Sequence, residues 1–153
     1  MLHIDKSEAG AETILSALSV HSRTYGDKII YTFLDSDDVC QTITYNDLEE
    51  SARCIARELL QYSLPGDRAL LTYSSGLEFI KAFLGCLYAG IVAVPSYVPK
   101  KNRNAERVLA IAHDCKPKLL LCTSETKSNL VGEFAAAVSE SQIFVTDNAI
   151  MLP

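Results

Sequence analysis

The fold of this chain is decided by residues 66–95, which read GDRALLTYSSGLEFIKAFLGCLYAGIVAVP. After a Gly-Asp turn, residues 68–73 form a short apolar run that is typical of a strand buried inside a parallel sheet. Residues 77–89 carry only two charges and have apolar side chains all round, so they predict a helix buried on most sides. Residues 91–95 are then the next strand, ended by a proline. This order predicts a strand–helix–strand unit.

Gly85 lies in the middle of the predicted helix 77–89. A glycine there is less favourable than an alanine by about 1 kcal/mol. The position therefore predicts a close backbone approach, which we expect to be against the sheet.

The residues before this unit predict a helix at 12–20 and a β-hairpin made of strands 28–34 and 39–44. The acidic residues Asp35, Asp37 and Asp38 lie in the predicted turn between the two strands. A carboxylate group of this kind can bind a cation, but the further ligand positions of a calcium loop are missing. The pattern therefore favours a solvated turn.

A second helix is predicted from Thr44 to about Gln61. Thr44 and Asp47 have the spacing of a capping box, in which a threonine and an acid three residues later satisfy the free amides of a helix start. Apolar residues then recur at the spacing of one helix face.

The residues after this unit continue the alternation. We expect an exposed basic loop at 96–104, a helix at 105–114 and a strand at 119–122. A further helix face at 130–138 and a strand at 143–145 complete the pattern. The core face of the helix at 105–114 is predicted to consist of Val108, Ile111, Ala112 and Cys115.

The fold class that follows is α/β. It is a mainly parallel sheet with helices on both faces, preceded by a β-hairpin. In such folds ligands bind beyond the carboxyl ends of the strands. The segments expected at that edge are Tyr73 to Gly76, Pro95 to Pro99, Thr123-Ser124 and Thr146-Asp147.

Composition places the 153 residues among ordinary soluble domains. The formal net charge of −5, with no long basic run, argues against a nucleic-acid partner. No apolar stretch approaches the roughly 20 residues of a membrane span, and no signal peptide is evident. The scattered cysteines form no C-x-x-C pair, so we expect free thiols in a cytoplasmic protein. These cysteines are Cys40, Cys54, Cys86, Cys115 and Cys122.

Few residues suggest chemistry. Ser74-Ser75-Gly76 can hold an anion at a helix start, but without a phosphate-loop lysine or a G-x-G-x-x-G pattern a simple helix cap is favoured. Cys115 beside His113 resembles a thiol nucleophile, but its place on an apolar face favours a core thiol. The basic loop at 100–103 is more simply a solvated loop than a phosphate site. The residues alone therefore do not identify a reaction.

A resemblance to a known family adds to this interpretation. The strings GDRALL, GLEF, AFLGCLYAG and VAVP of residues 66–95 closely resemble the N-terminal region of fatty acyl-AMP ligases. TYNDL at 44–48 resembles the T-Y-x-E-L segment of that superfamily, with Asp47 for Glu. RVLAI at 107–111, with Asp114, extends the resemblance, which covers about residues 13–145. Two departures occur, because Ser74-Ser75 and Val98 stand where this branch tends to have prolines.

The resemblance implies the N-terminal portion of an adenylating domain over residues 1–153. Such enzymes use ATP and Mg²⁺ to convert a fatty acid to acyl-AMP, and then pass the acyl group to an acyl carrier protein or a polyketide synthase. The phosphate loop and the lysine-bearing C-terminal domain of the family have no counterpart here. No catalytic, cofactor-binding or metal-binding residue is therefore assigned, and we expect the chain alone to be inactive and to need no cofactor.

Two alternatives stay open, namely a non-catalytic α/β interaction module and a fragment of an acyl-CoA synthetase. The sequence also predicts self-association. Without the rest of the enzyme, we expect the helix at 77–89 or a neighbouring strand edge to be left partly uncovered.

Overall fold

The computed structural model describes residues 13–34, 40–99, 105–130 and 132–149. These ranges form a two-stranded antiparallel hairpin and a four-stranded sheet with flanking helices. The helices are α1 (Ile14–Tyr25), α2 (Tyr45–Leu59), α3 (Leu77–Tyr88), α4 (Ala105–Cys115), α5 (Ser124–Lys127), α6 (Gly132–Ala137) and α7 (Thr146–Ala149). The strands are β1 (Ile29–Leu34), β2 (Cys40–Thr44), β3 (Arg68–Thr72), β4 (Val92–Ser96), β5 (Leu119–Cys122) and β6 (Gln142–Val145).

The larger sheet has the strand order β4-β3-β5-β6, and all of its described pairings are parallel. The central strands β3 and β5 are the most buried, since Leu70, Leu71, Leu120 and Leu121 are inaccessible to solvent. Such continuous apolar strands are typical of a sheet that is covered on both faces. The predicted parallel sheet and the antiparallel hairpin before it are both confirmed.

Successive residues of the central strands face opposite sides of the sheet. Ala69 and Leu71 join the core formed with α2 and α3, whereas Leu70 and Leu120 join the core formed with α4 and α6. This alternation is the two-residue period of a β-strand. Helices therefore cover both faces, as predicted. Of the predicted core face of α4, Val108, Ala112 and Cys115 are buried, and Ile111 packs against the same cluster.

Helix α3 is enclosed to the extent that the sequence predicted, because each of its residues is buried or half-buried. Its closest neighbour at Gly85 is α2 rather than the sheet, which corrects the expectation for that glycine. A Cβ atom at position 85 would lie 2.6 Å from Cγ2 of Ile55 and 3.2 Å from the carbonyl oxygen of Ala52. The absent side chain thus lets the two helices approach closely.

Threonine caps start two of the longer helices. The hydroxyl of Thr13 accepts a hydrogen bond from the amide of Ser16 at the start of α1. The Thr44 hydroxyl accepts one from the amide of Asp47 and donates one of 2.7 Å to the Asp47 carboxylate. The predicted cap at Thr44 is confirmed, although Asp47 bonds to the Thr44 hydroxyl instead of completing the box through the Thr44 amide.

Several sequence predictions need correction. The helix cap predicted for Ser74-Ser75-Gly76 is formed by Gly76, without a side-chain bond from either serine. The loop after β4 is not exposed throughout, since Val98 and Pro99 are buried. Two one-turn helices, α5 and α7, were not predicted, and α1 extends beyond the predicted end at Val20 to Tyr25.

Two of the predicted loops, the acidic turn at 35–38 and the basic loop at 100–103, lie outside the described residues. Across the ranges that are described, no helix is long and apolar enough to cross a lipid bilayer.

Candidate functional site

The segments predicted to border a ligand follow the carboxyl ends of the four parallel strands. Tyr73 follows β3, Ser96 ends β4, Thr123 follows β5 and Thr146 follows β6. Because the strands are parallel, all four positions lie at the same edge of the sheet. The structure therefore brings these predicted segments to one edge.

Tyr73 joins three strands at this edge. Its hydroxyl lies 2.9 Å from Oγ1 of Thr146, and the Thr146 hydroxyl lies 3.4 Å from the carbonyl oxygen of Cys122, to which it donates. Burial raises the pKa of Tyr73. This effect is larger than that of the hydrogen bond to Thr146, which lowers the pKa. The phenol therefore stays neutral. Because the Thr146 hydroxyl gives its proton to the Cys122 carbonyl, Tyr73 is the donor in the bond to Thr146, and the pair ties β3 to the ends of β5 and β6.

The start of α5 is occupied by a side chain of the protein itself. The amide of Ser124 donates to both carboxylate oxygens of Asp147, at 2.9 and 3.1 Å. Thr123 and Thr126 form a reciprocal capping box around the same turn. Since a carboxylate already satisfies this helix start, the edge offers no free phosphate cradle at α5.

The start of α3, unlike that of α5, has no side-chain cap. Gly76, with φ of 154°, leads into the helix without a side-chain cap, and Ser74 and Ser75 are exposed. Glu78 in the first turn forms an ion pair of 2.7 Å with Lys81. A carboxylate near a helix start is favourable in itself, and it disfavours a phosphate at the same place.

Two oxygen atoms near this edge retain the capacity for another hydrogen bond. Among the described side chains, Oε2 of Glu78 and Oγ of Ser96 are buried and have no hydrogen-bond partner. Buried polar atoms are normally paired, so both positions are suited to contact further polypeptide or a ligand.

Neither a metal-ligand cluster nor a reactive thiol is found among the described residues. No group of three His, Cys, Asp or Glu side chains in the described ranges is placed to hold a metal ion. Burial raises the pKa of the Cys86 thiol to about 12 and that of the Cys122 thiol to about 11. It also raises the pKa of Cys115, which is buried as predicted. These thiols stay protonated and act as core side chains.

A second polar cluster was missed by the sequence analysis. The carboxylate of Glu49, in α2, accepts bonds of 2.9 and 2.6 Å from Arg53 and one of 3.2 Å from the hydroxyl of Tyr88. The Arg53 guanidinium also lies over the ring of Tyr88, 4.6 Å from its centroid. Glu49 and Arg53 border a groove of about 630 Å³ between α1 and α2. The four-residue spacing of Glu49 and Arg53 was the available signal.

Glu49 is ionised more readily than an ordinary glutamate. Burial raises its pKa, but the hydrogen bonds from Arg53 and Ser22 lower it by more, so the pKa lies below the usual 4.5. The same bond to Glu49 raises the pKa of Arg53. This cluster connects α2 to α3 through Tyr88, and its geometry supports the fold rather than a reaction.

The fold and this edge are those of a parallel α/β sheet protein with its ligand-binding segments at the carboxyl ends of the strands. The profile of the family described as AMP-binding enzyme matches residues 18–151. The chain therefore belongs to the AMP-binding enzyme family.

The individual relatives are ligases named for fatty acids. The chain is 32% identical over 152 residues to the long-chain-fatty-acid–AMP ligase FadD26 of Mycobacterium tuberculosis, covering 92% of this chain and 26% of the relative. It is 35% identical over 133 residues to the medium-chain-fatty-acid–[acyl-carrier-protein] ligase JamA of Moorena producens, covering 80% and 22%. The putative fatty-acid–CoA ligase FadD21 of M. tuberculosis is 33% identical over 116 residues, covering 73% and 20%.

Solved structures agree with these relatives. The fatty acid AMP ligase from Legionella pneumophila matches with a TM-score of 0.84 and 28% identity, over 95% of this chain and 25% of that one. A fatty acyl-adenylate ligase from L. pneumophila, in complex with acyl adenylate and pyrophosphate, matches with a TM-score of 0.81 and 27% identity, over the same shares. The resemblance to fatty acyl-AMP ligases is confirmed. The chain spans between a fifth and about a quarter of the length of the relatives that it matches.

Proposed function

We propose that this chain is the N-terminal portion of the adenylating domain of a fatty acyl-AMP ligase, and that its contribution is structural. The observation that carries the proposal is the match of 95% of the chain to a fatty acid AMP ligase at a TM-score of 0.84. The sequence strings at residues 66–95 support the same assignment. In this proposal residues 1–153 supply four strands of the α/β core and the edge that carries Tyr73 and Thr146.

The reaction proposed for the complete enzyme is the activation of a fatty acid. A carboxylate oxygen attacks the α-phosphorus of ATP, a carboxyl–phosphate bond forms, and the bond to the β-phosphate breaks to release pyrophosphate. The thiol of an acyl carrier protein or a polyketide synthase then attacks the acyl carbon, a thioester forms, and the bond to the phosphate breaks to release AMP. The name of JamA contains the first of these acceptors, an acyl carrier protein. We place the reaction in the cytoplasm, in keeping with the free thiols.

ATP and Mg²⁺ are substrate and cofactor of the complete enzyme in this proposal. No group of three His, Cys, Asp or Glu side chains among the described residues is placed to hold an ion, so no magnesium ligand is assigned on this chain. No step is therefore assigned to the ion on this chain. Nor does the sequence contain a phosphate-loop pattern, and the helix starts at the sheet edge carry Asp147 and Glu78. Phosphoryl chemistry depends on groups that hold the phosphates and neutralise developing charge.

The chain alone should consequently be inactive. We expect no ATP–pyrophosphate exchange from the purified 153 residues with medium-chain or long-chain fatty acids and Mg²⁺. The positive control is the L. pneumophila fatty acid AMP ligase under the same conditions. Exchange that requires both the fatty acid and this chain would overturn the structural role.

The name of FadD21 favours a second candidate, a fragment of a fatty-acid–CoA ligase. The two candidates differ in the thiol that accepts the acyl group. In the longest polypeptide that the reading frame encodes, transfer from acyl-AMP to an acyl carrier protein but not to coenzyme A supports the AMP ligase. The opposite preference supports the CoA ligase. An extended polypeptide that folds but shows no exchange would leave the non-catalytic module as the better description.

A further inference from the structure

We draw no further inference here: the strongest candidate, the apolar groove of about 340 Å³ between α1, β1 and α3, beside the edge of β1 that has no further strand partner among the described residues, is an uncovered apolar face, and nothing in the structure shows what covers it.

Discussion

Replacing Gly85 with alanine should destabilise the protein, although alanine is the better helix former. The added Cβ would lie 2.6 Å from Cγ2 and 2.9 Å from Cβ of Ile55, and 3.2 Å from the carbonyl oxygen of Ala52. Ile55 is inaccessible to solvent, and the Ala52 oxygen belongs to the backbone of α2. Neither group can move away freely, so α3 would have to shift from α2.

The expected magnitude follows from two opposing effects. Overpacking a well-packed core by one carbon typically costs 1–3 kcal/mol, and contacts this short favour the upper value of about 3 kcal/mol. The higher helix propensity of alanine returns about 1 kcal/mol. We therefore expect Gly85→Ala to lower the free energy of unfolding by about 2 kcal/mol.

Urea denaturation followed by far-ultraviolet circular dichroism measures this change, and a double-mutant cycle with Ile55→Ala tests its cause. Removing Cγ2 of Ile55 eliminates the shortest contact, so Gly85→Ala should cost at least about 1 kcal/mol less in the Ile55→Ala background. Gly66→Ala is the matched control, because its φ of 92° causes strain while no atom lies within 4 Å of the added carbon. Its effect should add to that of Ile55→Ala. A Gly85→Ala protein as stable as the wild type would refute the close contact of α2 and α3.

Three further predictions follow from the site and the core. The pKa of Glu49 is lower in the folded state than its usual 4.5, so the unfolded chain binds more protons and stability should fall as the pH drops below about 4.5. Glu49→Gln should remove that part of the acid dependence of stability. At neutral pH it should cost only about 1 kcal/mol, because Arg53 is half exposed and water weakens its ion pair with Glu49. An unchanged acid profile in denaturant titrations would contradict this. Tyr73→Phe should cost about 1 kcal/mol by removing the bond to Thr146, whereas an unchanged urea midpoint would show that the bond contributes nothing. Phe83→Asp should cost several kcal/mol and prevent folding, and soluble protein with an unchanged melting temperature would contradict the enclosed position of α3.

The core of the fold could be predicted from the sequence because its signals are local and strong. Burial could be predicted from the local residues alone for β3, β5 and the helix between Gly76 and Gly90, because these segments are almost wholly apolar. A parallel order followed from the alternation of strands and helices, since parallel strands require a crossover connection. The thiol of Cys115 was also placed correctly, because it lies on the apolar stripe of α4.

Other features depend on contacts between segments distant in the chain. The sequence shows that Gly85 is unusual but not that Ile55 is its neighbour. Helices α5 and α7 have four residues each, which is too short for a periodic pattern. The bond between Tyr73 and Thr146 joins residues 73 positions apart. The nearby prolines make Val98 look like a loop residue in the sequence, yet the fold buries it.

In the function proposed above, this chain supplies the structural core of a fatty acyl-AMP ligase. The most direct test replaces the matching quarter of the L. pneumophila fatty acid AMP ligase with this chain and measures fatty-acid-dependent ATP–pyrophosphate exchange. We predict that the chimera folds and retains exchange, because the reacting groups come from the retained part of the ligase and this chain only supports them. A chimera that folds cooperatively but shows no exchange would contradict the claim.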